Sequence, residues 1–234
     1  YTLAYTGVNG GLVVVVADDP GMHSSQNEQD SRMHARGSQV PMLEPSDSDE
    51  CRAFTKLAFE LSEKYDTPVF VRTTTRVAHA RSVVHPQERV EAALKPYQKD
   101  ISKWVMMPGM AKGRHVVVEK RMNDLAKDAS SLPVNRVEMG DTKIGVICSG
   151  MAYQYVKEVA PEISVLKLGI VNPLPMDLIA DFARQVETLY VFEELEPVIE
   201  EQVAAHGIPV TGKALTGRQG ELSAHKVAKL LGKE

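Results

Sequence analysis

The sequence contains only two cysteines, Cys51 and Cys148, and a single tryptophan. Two thiols cannot build a disulfide framework, nor can they alone ligate an iron–sulfur cluster. Both lie in apolar stretches, so both are expected to be buried core thiols of a protein in a reducing, cytoplasmic compartment. Long hydrophobic runs are also lacking. The longest, residues 12–17, falls far short of the ~18–20 residues a membrane helix needs. Nor is there an excess of positive charge: 27 Lys and Arg face 31 Asp and Glu, a net charge of −4. That is not the electrostatic footprint of a nucleic-acid binder. The seven histidines are scattered without metal-ligand spacing. No P-loop, HExxH or GxSxG pattern occurs, and Gly7-Val-Asn-Gly-Gly11 precedes a strand instead of opening a helix, which excludes a dinucleotide fingerprint. The sequence opens on Tyr1 with no initiator Met, signal peptide or targeting segment, and is expected to be a piece of something longer.

What is present is ordinary for a globular chain: 43% apolar and 25% charged residues over 234 positions, enough for one large or two small domains. Residues 12–17 are a β-branched run between Gly10-Gly11 and Asp18-Asp-Pro-Gly21, the pattern of a strand buried on both faces of a parallel sheet. A polar stretch follows to about residue 40, helical in part. Ser46 is placed as the N-cap of a helix over 47–65, with Asp49 as its capping-box acid and Phe54, Leu57, Ala58, Leu61 and Tyr65 on one face. Asp66-Thr-Pro68 ends it, and 69–71 is the next strand, reached by a right-handed crossover. Residues 86–103 are polar with looser helical spacing, and a second helix covers 114–130. Residues 81–140 are thus read as a helical cover and linker, with a boundary within 133–141. Beyond it strands (144–148, 163–168, 189–192, 210–211) alternate with helices (151–160, 176–185, 197–205, 223–231), Pro197 lying in a first turn. The fold class is α/β with parallel, doubly wound sheets.

Ligands of such sheets bind outside the carboxyl ends of the strands. That rule selects residues 18–32, a long loop dense in hydrogen-bonding groups, read as a ligand or subunit-contact loop against the plainer alternative of a solvated surface. It also selects Arg72-Thr-Thr-Thr-Arg-Val-Ala-His79, where two arginines flank three hydroxyls that could bind an anion or carboxylate. Arg76 and His79 share a face if a helix begins there. The acidic run 193–201 is read as complementing a helix dipole in preference to supplying an acid pair for proton transfer.

Several stretches together carry a resemblance. Gly7-Val-Asn-Gly-Gly-Leu-Val-Val-Val-Val-Ala-Asp-Asp-Pro-Gly-Met-His-Ser-Ser-Gln-Asn-Glu-Gln-Asp-Ser-Arg32 is similar to the alpha subunit of the indolepyruvate ferredoxin oxidoreductases. Pro41-Met-Leu-Glu-Pro-Ser46, Thr73-Thr-Thr-Arg-Val-Ala-His79, Val191-Phe-Glu-Glu-Leu-Glu-Pro-Val-Ile-Glu200 and Gly220-Glu-Leu-Ser223 continue the likeness in order along the chain. The resemblance implies two parallel-sheet domains: a partial pyrimidine-binding domain of the thiamine-diphosphate type over 1–80 and a transketolase-C-like domain over 141–234. It implies an enzyme that decarboxylates aryl pyruvates oxidatively with thiamine diphosphate and Mg²⁺. Electrons would pass through iron–sulfur clusters to ferredoxin, aryl-acetyl-CoA would leave, and a second, beta subunit would be a partner. The family's catalytic glutamate, diphosphate-holding domain and cluster cysteines have no counterpart in this sequence, so the chain alone is expected to bind no cofactor tightly and to be inactive. No catalytic residue is assigned. His23, Ser24, Ser25, Gln26 and Asn27 are placed nearest the substrate side of the cofactor, with Arg72, Arg76 and His79 as weaker candidates on the same rim. Pyruvate or 2-oxoglutarate as substrate, and a non-catalytic scaffold of the same fold, stand as alternatives. An incomplete first sheet should leave a strand edge exposed and promote self-association there.

Overall fold

The computed structural model describes residues 1–233. The first half runs α1 (Thr2–Thr6), β1 (Val13–Asp18), α2 (Ser31–Ser38), β2 (Met42–Leu43), α3 (Ser48–Tyr65), β3 (Val69–Thr74), α4 (Thr75–His79), α5 (Ile101–Trp104) and α6 (Pro108–Ala129). The second runs β4 (Arg136–Glu138), β5 (Asp141–Ser149), α7 (Gly150–Val159), β6 (Ile163–Leu168), β7 (Ile170–Asn172), α8 (Met176–Ala183), β8 (Thr188–Phe192), α9 (Val198–Ala205), α10 (Lys213–Thr216) and α11 (Ala224–Leu230). Among the described residues no helix is long and apolar enough to cross a membrane.

Two four-stranded sheets result, in the orders β1-β3-β2-β7 and β4-β6-β5-β8. They are parallel except where β7 pairs with β2 and β4 with β6. β7 therefore carries the second half of the chain into the first sheet. One core cluster draws on both halves: Met42 packs with Ile147, Leu166, Val171, Phe182 and Val191. A second cluster forms under α3, where Phe54, Ala58, Leu61 and Tyr65 recur at helical spacing and pack on Leu43, Val69, Val71 and Leu125. Truncating a buried aromatic such as Phe54 to alanine costs about 3–5 kcal/mol.

Several expectations are corrected. β1 is not buried on both faces. It lies at the sheet edge, where only β3 pairs with it, and Val15 is 65% exposed. The N-cap of α3 is Asp47, whose side chain accepts from the Glu50 amide, not Ser46. Glu50, not Asp49, is the reciprocal acid, accepting from the amide and hydroxyl of Ser46. The loose helical spacing over 86–103 yields only the single turn α5, and residues 80–100 carry no regular structure. The following helix starts at Pro108, ahead of the expected 114. Pro197 is the N-cap residue of α9 instead of part of its first turn. Residues 210–211 contribute only an isolated bridge, Thr211 to Tyr190. Cys148 is buried as expected, but Cys51 is half-buried, because α3 turns it partly outwards.

Candidate functional site

The carboxyl ends of β1 and β3 lie side by side, with Asp18 opposite Thr74. The loop leaving β1 is folded around carboxylates, because short acidic side chains can replace backbone partners in a turn. Asp19 Oδ2 accepts from the amides of Ser24 (2.8 Å) and Ser25 (3.0 Å), and Oδ1 accepts from the Thr75 hydroxyl (2.5 Å). The Ser24 amide, the Thr75 hydroxyl and the Ser25 amide hold the Asp19 carboxyl well below the usual carboxylate range. The backbone turns through Gly21 and Met22, both at positive φ (81° and 54°). The Gly21 amide donates to Glu28 Oε1 at 2.6 Å. The loop closes where Asp30 caps α2 by accepting from the Arg32 amide.

Beneath the loop is a buried ionic layer. Arg32 is 1% exposed. Its Nε and Nη2 donate to Asp30, its Nη1 to Glu193 Oε2 at 2.6 Å, and its Nη2 also to the carbonyls of Glu194 and Glu196. Glu193 in turn accepts from the amides of Ile199 and Glu200 at the start of α9. This is the helix-dipole role expected of the acidic run, with one member wholly buried. Burial raises the Glu193 carboxyl, with Arg32 opposing the shift, and burial likewise raises Glu194, which accepts from the Leu222 amide at 2.8 Å. Arg72 is equally buried. Its Nε donates to Asp18 at 2.5 Å and its Nη1 to Glu44 at 2.7 Å. Asp18 also accepts from the amide and hydroxyl of Ser31. Glu44 sits against the start of α7: a Cβ on Gly150, at φ +51°, would lie 2.6 Å from Glu44 Oε1. Glu44 Oε2, Arg72 Nη2 and Thr74 Oγ1 are buried without a partner.

On the rim, His23 Nε2 lies 3.0 Å from Glu221 Oε2, in the loop before α11. Arg76 Nε donates to the same oxygen at 2.7 Å, and the Arg76 hydrogen bonds, more than His23, keep the Glu221 carboxyl below its ordinary range. The loop after β1 is thus fastened to the first half by Asp18 and Asp19, and to the second half by Arg32 and His23.

The structure brings His23 and Arg76 together on one carboxylate. Ser24, Gln26 and Asn27 stand exposed on the loop, Ser25 is half-buried, and Asn27 Oδ1 accepts from Gln29. Arg72 lies beneath them with its charge met by Asp18 and Glu44, and His79 is exposed at the end of α4. Asp19, Arg32, Glu44 and Glu221, which organise the site, were not singled out from sequence. Only Asp30, a short acidic side chain of the kind that caps a helix, offered a local signal, and it is the N-cap of α2. Among the described residues no cluster of three or more His, Cys, Asp or Glu could hold a metal ion. The buried carboxylates and arginines neutralise one another.

No family model matches the chain. Curated relatives do. "Indolepyruvate oxidoreductase subunit IorA" of Thermococcus kodakarensis is 40% identical over 97% of the chain, which covers 39% of that relative. The protein of the same name from Methanothermobacter thermautotrophicus is 43% identical over 86% of the chain and 34% of its own length. The chain thus spans about two fifths of the curated relatives it matches. Among solved structures, a 2-oxoglutarate:ferredoxin oxidoreductase from Magnetococcus marinus superposes with a TM-score of 0.70 at 14% identity, covering 99% of this chain and 50% of that one. A split-gene transketolase superposes at 0.61 with 17% identity, covering 99% and 68%. These two likenesses establish the fold, α/β with two mostly parallel sheets. Over nearly its whole length the chain is thus similar to a segment, about two fifths, of the proteins named indolepyruvate oxidoreductase subunit IorA.

Proposed function

We propose that this chain is the substrate-rim portion of a 2-oxoacid oxidoreductase that converts aryl pyruvates, indolepyruvate foremost, to aryl-acetyl-CoA with ferredoxin as electron acceptor. The observation that carries the reading is the 40% identity to proteins named indolepyruvate oxidoreductase subunit IorA along 97% of the chain. The polar loop at the carboxyl ends of β1 and β3 is the structural feature that agrees with it.

Thiamine diphosphate would supply the decarboxylation chemistry in the whole enzyme. The described residues do not fit the diphosphate and its Mg²⁺: the buried cations Arg32 and Arg72 are committed to Asp30, Glu193, Asp18 and Glu44, and no carboxylate cluster of metal-binding geometry accompanies them. What this chain does in this reading is hold a rim. Asp19 fixes the turn, Glu221 orients the His23 ring, and the side chains of His23, Ser24, Gln26 and Asn27 face a bound keto acid as hydrogen-bonding groups. The iron–sulfur clusters, the beta subunit and the site for CoA belong to other parts of the assembly.

The test uses the full-length protein with its partner subunit, thiamine diphosphate, Mg²⁺, CoA and ferredoxin. Indolepyruvate is expected to reduce ferredoxin faster than pyruvate or 2-oxoglutarate does, and His23→Ala to raise KM for the keto acid. A folded assembly that reduces ferredoxin with no 2-oxoacid overturns the reading, and a preference for pyruvate or 2-oxoglutarate overturns the aryl assignment. The 234-residue chain alone is expected to show no turnover.

A further inference from the structure

At the carboxyl ends of β1 and β3 the protein already binds a carboxylate, and that carboxylate is its own. Glu221 is held by two rim groups at once. Arg76 grips it side-on, Nε donating to Oε2 at 2.7 Å and Nη2 to Oε1, and His23 Nε2 lies 3.0 Å from the same Oε2. A two-pronged fork of this kind is the geometry by which arginine recognises a carboxylate. Arg76 is the second residue of α4, directly after β3, so the fork stands where ligands of parallel sheets bind. It is also within reach of a solute. The Arg76 side chain is 50% exposed, and those of His23 and Glu221 are 33% and 24% exposed. Arg32 and Arg72 are instead sealed beneath the loop. Of the three arginines at the site, only Arg76 meets its carboxylate in the open.

The segment that carries Glu221 is built to let go. Gly217 and Gly220 both sit at positive φ (74° and 72°), and a Cβ on either would meet nothing within 4 Å. Between them the Arg218 side chain makes an exposed contact with Glu196 at 3.1 Å. Exposed pairs of this kind contribute little to stability. On its other side the segment is anchored: the Leu222 amide donates to buried Glu194 at 2.8 Å, and Leu222 is itself buried. Residues 217–221 are thus a short strap, fixed at Leu222 and loose at its glycines, whose tip occupies Arg76 and His23. We propose that the Glu221 carboxylate stands in for the carboxylate of the keto acid, which displaces it and takes over the Arg76 fork and the His23 contact. This rests on the reading that the chain is the rim of a 2-oxoacid oxidoreductase. One singly charged carboxylate replaces another, so the exchange leaves the charge at the fork unchanged. Glu221 orients His23 until the substrate arrives. Arg76 is the residue that selects a carboxylate, and Glu221 is its internal competitor, weakening apparent affinity by the fraction of molecules in which the fork is filled.

The test uses the full-length protein with its partner subunit, assayed by ferredoxin reduction with indolepyruvate. Glu221→Gln removes the competing charge and is expected to lower KM about threefold or more. Arg76→Ala is expected to raise KM about tenfold or more. Arg76→Lys, which keeps the charge without the fork, should recover only part of that loss. With Arg76→Ala in place, Glu221→Gln should bring no gain, because the two act through one contact. A second readout needs no turnover. Trypsin cleavage after Arg218, followed by mass spectrometry with CoA and ferredoxin left out, is expected to quicken when indolepyruvate is added. Indole-3-ethanol, which lacks the carboxylate, should leave it unmoved. In Glu221→Gln cleavage should be fast with or without keto acid. An active wild type whose KM is unchanged or raised by Glu221→Gln, or whose Arg218 is cleaved equally with and without keto acid, overturns the exchange and leaves the functional reading standing. A folded wild type that reduces ferredoxin with no 2-oxoacid overturns that reading, and the exchange with it.

Discussion

Arg32 and Glu193 are 161 residues apart in sequence and 2.6 Å apart in space, both wholly buried. One pair thereby joins the loop leaving the first strand to the N-terminus of α9.

Removing one partner of such a pair leaves a bare buried charge. Arg32→Ala is expected to destabilise the chain by about 3–5 kcal/mol, measured by urea unfolding. Glu193→Gln keeps the shape and the acceptor for Ile199, and should cost less. A double-mutant cycle should show strong coupling between the two positions. Additive losses would mean that the pair does not act as one unit.

The Asp19 carboxyl is depressed by the bonds it accepts from Ser24, Thr75 and Ser25. A folded-state value below the unfolded one stabilises above the unfolded value, near 3.9, and is lost as pH falls through the folded one. Amide exchange at Ser24 and Ser25 should therefore stay protected from neutral pH down to about pH 4 and open only in stronger acid. Asp19→Asn should open it at every pH.

Glu221 holds His23 and Arg76 together, with the His23 contact at 3.0 Å. Glu221→Gln is expected to speed protease cleavage within residues 22–29 while leaving the melting temperature within a few degrees of wild type, since exposed pairs contribute only about 0–1 kcal/mol. Unchanged cleavage would show that the loop is held by Asp19 and Arg32 alone.

Gly150 occupies a conformation at φ +51°, with Glu44 Oε1 where a Cβ would go. Gly150→Ala should cost about 1–3 kcal/mol by thermal or urea unfolding, through strain and displacement of Glu44 from Arg72. Gly109→Ala, in open space on a helix, should instead be neutral or stabilising by up to about 1 kcal/mol.

Burial pushes both thiols up, Cys148 most strongly. Thiolate is the reactive form. Iodoacetamide at pH 8 should label half-buried Cys51 slowly and Cys148 only on unfolding, as peptide mass mapping would read.

The sequence made the regular parts of this fold legible. The strand read at 163–168 coincides with β6, and the spacing of Phe54, Ala58, Leu61 and Tyr65 located α3 within a residue or two. What it hid were features without periodicity. β7 follows β6 after the single residue Gly169, so no turn pattern announced a strand that changes sheets. β2 has two residues, too few for alternation. Residues 86–103 were read as helical because their apolar spacing is compatible with a helix, yet those side chains have no surface of this chain to cover. At the candidate site the loop itself stood out through its polarity. Arg32 did not, because an arginine in a polar stretch gives no local sign that a glutamate far along the chain will bury it.

The loop after β1 is fixed from below by Glu193 and from the side by Glu221, neither of which lies in the half of the chain that contains it. Its shape is therefore not a heritable property of the first sheet. A chimera that grafts residues 1–140 onto a foreign second half would carry the loop's letters without its moorings. Transplanting whatever selectivity the rim confers requires moving residues 193–222 with it.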